Sequence, residues 1–241
     1  MTKTPGASPG SSSLRGYSRP WVALGIAALG YVGTLLILTG YPGVRARVGA
    51  PGWVLAVLDL IVICAPLLVA VLAAGVWASS VGIARATGIR QWRGRDLLLG
   101  LGVGLVVRAI VELFAPTTGT LGGPFVAPDL ATSVVVIAGA VLISPYIEEW
   151  FFRGLVLRAL LDAGRGWGRL SAGIIAILVS TIAFMALHFL PWGSPVALGV
   201  LLGTLGVGLG CGILTVITGR LGAALVAHVV FNGIGVVLLV W

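Results

Sequence analysis

The chain has 241 residues, of which 59% are hydrophobic and 9% charged, with a mean hydropathy of +1.13. An ordinary soluble domain carries about 25% charged residues, so this composition excludes a soluble globular fold and predicts an all-α, polytopic membrane bundle. The net charge of +8 does not point to nucleic acid, because the basic residues sit mostly in short loops between apolar runs, where they set topology.

Residues 1–20 are rich in Pro, Gly, Ser and Thr and carry Lys3, Arg15 and Arg19. They read as a disordered cytoplasmic tail. The apolar run 21–41 is longer than the h-region of about 7–15 residues in a signal peptide, so it reads as the first span. A spanning helix needs roughly 20 apolar residues. The further runs are 53–78, 97–115, 131–147, 170–190, 195–218 and 221–241. That makes about seven transmembrane helices, within a range of 6–8. A more amphipathic segment, 148–163, follows the fourth run directly. Cys64 and Cys211 lie inside apolar runs without metal or redox spacing and read as small buried hydrophobes.

The loop charges are strongly asymmetric. Lys3, Arg15 and Arg19 in the tail, Arg85, Arg90, Arg93 and Arg95 in 79–96, Arg153, Arg158, Arg165 and Arg169 in 148–169, and Arg220 all fall on alternate sides from Arg45 and Arg47. Twelve basic residues against two predict a cytoplasmic N-terminus in the plasma membrane and, with seven spans, an exported C-terminus. Small-residue pairs at Gly100/Gly104, Gly206/Gly210 and Gly208/Gly212 allow close helix approach in lipid, and the expected use is packing within the chain.

Ionisable groups in hydrocarbon are costly and usually functional. Here they concentrate in three segments: Glu148-Glu149-Trp-Phe-Phe-Arg153, Phe184-Met-Ala-Leu-His188 and His228-Val-Val-Phe-Asn232. The chain has no other histidine. Glu149 and Arg153, four apart with the acid first, form the favoured helical ion pair. That pairing leaves Glu148, about 100° away around the helix, as the unpaired carboxylate and candidate proton acceptor. His228 and Asn232 share a helix face, and both can donate to a developing oxyanion. Arg108 and Glu112 form a second expected pair. Asp59 has no local partner and is expected to meet Arg108 across helices or to line an ion path.

Taken in order, Glu148-Glu149-x-x-x-Arg153, Phe184-x-x-x-His188 and His228-x-x-x-Asn232 resemble the motifs of the CPBP family of intramembrane endopeptidases, the Abi or CAAX prenyl protease group. The resemblance covers about residues 125–241, giving a protease core there and a set of N-terminal transmembrane helices over 21–124. It implies peptide-bond hydrolysis on a membrane-associated peptide or protein substrate within the lipid bilayer, and it fixes no oligomeric state. Carried onto this chain, Glu148 would activate water and His188 would help hold it. His228 and Asn232 would stabilise the oxyanion, with Glu149, Arg153 and Phe184 in support. The family has also been described as metalloproteases, in which case Glu148, His188 and His228 would ligate zinc. No HExxH motif is present, and the cofactor-free glutamate mechanism is the favoured expectation. The alternatives are a catalytically silent membrane scaffold or regulator, and a small transporter. A transporter would be expected to show inverted repeats, and none is visible.

Straight helices do not bring these residues together. From the predicted helix starts, His188 lies about 27 Å along its span and His228 only about 10 Å along its own, a mismatch of roughly 15 Å at 1.5 Å per residue. Pro145 and the stretch Leu190-Pro-Trp-Gly-Ser-Pro195 therefore predict interrupted helices around the active-site cavity, with a break in the fourth helix near Pro145. A tilted or more deeply entering last helix is the remaining way to bring His228 level.

Overall fold

The structure, a computed structural model, describes residues 16–90, 92–117, 129–190 and 197–240. Among these the regular structure is entirely helical: α1 (Pro20–Arg45), α2 (Gly52–Trp77), the short α3 (Ile83–Thr87), α4 (Gly94–Phe114), α5 (Leu130–Ala163), α6 (Arg169–Phe189), α7 (Leu198–Thr218) and α8 (Gly222–Val240). All except α3 are long and apolar enough to cross a membrane. The chain is a multi-pass membrane protein. The predicted spans coincide with these seven helices, except that 131–147 and 148–163 are one continuous helix, α5. At 1.5 Å per residue its 34 residues reach about 51 Å, well beyond a hydrocarbon core of about 30 Å.

The break expected at Pro145 takes another form. The helix does not stop there; it widens into two π-helical segments, Gly139–Ile143 and Trp150–Leu157, on either side of the α-helical turn Ser144–Glu149. A π turn closes its hydrogen bonds at i+5 and accommodates one extra residue. Pro145 lacks an N–H, and a widened turn lets the helix run through it. The expected break at Pro191–Pro195 lies outside the described residues.

Apolar side chains cover the outside of the bundle as well as its centre. Leu98, Leu105, Val69, Val76, Ile182 and Ile217 are exposed on the outer faces, as lipid contact requires. Trp21, Trp77, Trp92 and Trp167 are exposed at one end and Trp53 at the other, the placement of interfacial aromatics. Phe151, Phe152, Leu155, Phe184, Leu67 and Val71 pack centrally.

The glycine pairs set the helix order, and all act within the chain. A Cβ on Gly100 would lie 2.5 Å from the Ala223 carbonyl oxygen, and one on Gly104 would lie 2.6 Å from that of Ala227, so α4 lies directly on α8. On α7, Gly206 and Gly210 face Val107 and Val103 of α4, while Gly208 and Gly212 face Thr181 and Ile177 of α6. One helix thus presents two glycine faces and wedges between two neighbours.

Four anchors close the end where most arginines lie. Arg220, in the α7–α8 turn, pairs with buried Asp96 near the start of α4 at 2.6 Å, and this bond holds its guanidinium above the usual range. The Arg93 N–H donates to the same carboxylate at 2.9 Å. Arg158 of α5 donates to the carbonyl of Gly219 at 2.5 Å. Gly219 itself ends α7 at φ +71°, a left-handed conformation suited to glycine. The fourth anchor is the N-terminal segment: composition marks 1–20 as disordered, yet Gly16 and Tyr17 donate backbone N–H bonds to Asp162 at 3.0 and 2.7 Å.

These anchors also remove the depth mismatch. The turn into α8 packs beside Gly154 and Arg158 of α5, which lie roughly 8–13 Å short of the end of α5 at Ala163. The last helix therefore begins deep in the bundle, and His228 arrives level with Glu149 without a broken helix.

Candidate active site

Three helices supply the motif residues, and they meet around Phe184. Its ring lies 5.3 Å from that of Phe152, 4.6 Å from the His188 imidazole and 5.6 Å, edge-on, from the His228 imidazole. The Arg153 guanidinium lies 4.8 Å over its centre. Phe184 therefore touches both histidines and packs against the arginine, a cation–π contact with the ring face.

Beneath this ring sits a fully buried ionic cluster. Arg153 donates to Glu149 Oε1 at 2.8 Å, with both side chains wholly enclosed, as the four-residue spacing predicted. The other Arg153 terminal nitrogen reaches the Val207 and Gly208 carbonyls of α7 at 3.3 and 3.2 Å. The helix that wedges through its glycine faces thus also offers backbone acceptors to the buried charge. His228 Nδ1 lies 2.9 Å from the same Glu149 Oε1. Arg153 already donates to that oxygen, and a carboxylate only accepts, so Nδ1 is the donor and Nε2 is left as an acceptor in the neutral ring. Among the described residues, Glu149 Oε2 and Arg153 Nε have no hydrogen-bond partner.

Glu148 lies on the accessible side of this cluster. Its side chain is 13% exposed, and Oε2 stands 3.8 Å from His228 Nε2. The sequence reading paired Glu148 with His188; the contact here is with His228. His188 Nδ1 donates to its own helix's Phe184 carbonyl at 2.8 Å, which leaves Nε2 as the acceptor of the neutral ring. His228 thus spans both carboxylates, one on each ring nitrogen.

Asn232, one turn beyond His228, donates from Nδ2 to the Ala140 carbonyl at 2.8 Å. The need for that bond is local. The ordinary α donor to Ala140 is the Ser144 N–H, which reaches back to Gly139 instead. The next candidate is Pro145, which has no N–H. Asn232 fills the acceptor the π turn leaves open, and one amide hydrogen remains for other work.

The remaining intramembrane charges are settled elsewhere. Arg108 pairs with Glu112 at 3.0 Å as predicted. Asp59 pairs with Arg45 at 2.7 Å, not with Arg108, because residue 45 closes α1 and faces the first turns of α2. The three donors of a zinc set do not converge. Among the described residues no three His, Cys, Asp or Glu side chains are grouped to hold a metal, and His188 Nδ1 and His228 Nδ1 are engaged by the Phe184 carbonyl and Glu149. As placed, the donor set does not fit zinc. Sequence reasoning missed Tyr17, Ser180, Asp96, Arg158 and Asp162. The last three carried a signal, being charged residues just inside helix ends, whereas Tyr17 and Ser180 carried none.

No curated protein and no solved structure is significantly similar to this chain. Residues 130–234 match the family described as type II CAAX prenyl endopeptidase Rce1-like. That stretch runs from the start of α5 into α8 and contains every residue of the three motifs. Through this segment, the chain is similar to the CAAX protease family.

Proposed function

We propose that the protein is a glutamate-type intramembrane endopeptidase that cleaves membrane-associated protein or peptide substrates, with the arginine-rich end in the cytoplasm of the plasma membrane. The observation that carries the mechanism is the 3.8 Å separation of Glu148 Oε2 and His228 Nε2. Both atoms are acceptors when His228 donates from Nδ1, and two acceptors at that distance are bridged by one water giving a hydrogen to each. Such a water is positioned and polarised before substrate arrives.

In the reaction, Glu148 takes a proton from the water as its oxygen bonds to the scissile carbonyl carbon. The carbonyl π electrons move onto oxygen. The remaining Asn232 amide hydrogen is the donor available to that oxyanion, while His188, whose Nδ1 donates to the Phe184 carbonyl, offers Nε2 as a further acceptor beside the water. Collapse re-forms the carbonyl and breaks the C–N bond, and the proton on Glu148 passes to the departing amine. Glu149 and Arg153 fix the tautomer and angle of His228 and stay out of the bond changes.

The test uses purified protein in detergent and a library of fluorogenic membrane-proximal peptides. Wild type should release product, and Glu148→Gln and His228→Ala should not. A library with no product, or product insensitive to Glu148, would overturn the reading. Chelator separates the two chemistries: activity should persist, and a complete loss restored by zinc would overturn the metal-free mechanism alone.

A further inference from the structure

We propose that Tyr17, in the segment before the first span, is a positioning residue for the carboxylates of α5, acting through the π turn below them. The inference rests on the protease reading above. Its residue lies outside the matched stretch 130–234.

The π segments of α5 flank the Ser144–Glu149 turn on both sides. Where π and α turns meet, carbonyls lose their usual helical donors. Three carbonyls of the two π segments receive side-chain donors, each from a different part of the chain: Ala140 from Asn232 at 2.8 Å, Phe152 from Ser180 at 2.9 Å and Gly154 from the Tyr17 hydroxyl at 3.2 Å. For Gly154 the displaced donor is visible, since the Arg158 N–H points to Leu155 instead. The widened turn is therefore held by tertiary bonds from outside the helix.

Reversion of that turn to α-helix would remove one residue from the register, a rotation of roughly 100° between the residues above and below it. Glu148 and Glu149 lie above it, and Arg158 and Asp162 are fixed below it. Tyr17 is built to stay in place. It is 1% exposed, its backbone N–H is bonded to Asp162, and Ser79 donates to the preceding Gly16 carbonyl at 2.8 Å. Burial pushes its phenol well above the usual tyrosine range, so the hydroxyl remains a donor.

The experiment compares Tyr17→Phe with wild type and with Ser18→Ala, a neighbouring change that leaves the Gly154 bond alone, all in the full chain in lipid nanodiscs. Amide exchange over residues 150–158 should rise about fivefold in Tyr17→Phe, the worth of one net hydrogen bond. On the best peptide of the fluorogenic library, kcat should fall about tenfold with KM within twofold, since a small misplacement of reacting groups costs rate. Ser180→Ala should behave likewise. Unchanged exchange and kcat in Tyr17→Phe would overturn the proposal, as would a rise in KM matching the loss of kcat together with a lowered melting midpoint. Should wild type cleave no peptide, the protease reading fails, and the exchange comparison still decides whether Tyr17 holds the π turn.

Discussion

Glu149–Arg153 and Arg108–Glu112 share a four-residue spacing on transmembrane helices, and the two pairs end in different states. Around Arg108 every group is used. Its terminal nitrogens reach Glu112, Thr117 and the Phe231 carbonyl, its guanidinium lies 4.0 Å over the Phe231 ring, and Glu112 accepts from the Thr117 backbone as well. Around Glu149 one carboxylate oxygen serves both Arg153 and His228, while among the described residues the other oxygen and Arg153 Nε have no hydrogen-bond partner. The saturated pair fastens α4 to α8. The unsaturated one holds charge in a dry interior beside His228, whose other ring nitrogen faces Glu148. On the proposed mechanism, unspent hydrogen-bonding capacity distinguishes the working group from the fastener.

Five substitutions test that contrast. Glu148→Gln removes the proton acceptor and nothing else, and kcat should drop on the order of a thousandfold with an unchanged melting midpoint in detergent. Arg153→Met strands a buried carboxylate and should cost about 3–5 kcal/mol in SDS-induced unfolding. Adding Glu149→Gln to it should recover most of that stability and none of the activity. Asn232→Ala should lower kcat on the order of a hundredfold if its spare amide hydrogen meets the oxyanion; a change confined to stability would leave it only the Ala140 bond. Arg108→Met should be the mildest, roughly 1–3 kcal/mol, because Glu112 keeps its Thr117 bonds and its side chain is 23% exposed. Equal losses at Arg108 and Arg153 would break the comparison.

How far the sequence could be read follows the same division. The seven spans were legible because apolar length is a direct requirement of the bilayer. The Glu149–Arg153 and Arg108–Glu112 pairs were legible because each lies within one helix, where spacing fixes proximity. The partner of Glu148 was not, since the choice between His188 and His228 depends on how deep α8 begins. That depth is set by the Arg158–Gly219 and Arg220–Asp96 bonds, which join residues 61 and 124 apart in the chain. The proline near Glu148 rightly marked irregular backbone. It did not reveal a π turn, because the difference between i+4 and i+5 bonding leaves no side-chain pattern, and the donors that hold it come from Tyr17, Ser180 and Asn232. Asp59 shows the same limit on a smaller scale: its partner, Arg45, ends the preceding helix, and the sequence showed no reason to prefer it to Arg108.

The division of the site between α5 and α8 has a consequence for biosynthesis. Glu148, Glu149 and Arg153 enter the membrane with the fourth span, but their imidazole and amide partners arrive with the seventh. A nascent chain that has not yet inserted α8 carries the carboxylates with no His228 between them, no Asn232 on the Ala140 carbonyl, and α4 lacking the surface its Gly100 and Gly104 were shaped to meet. On the proposed mechanism, hydrolytic competence is thus deferred to the insertion of a single helix. While the protein emerges into a membrane crowded with other newly made chains, it has no assembled active site with which to cut them.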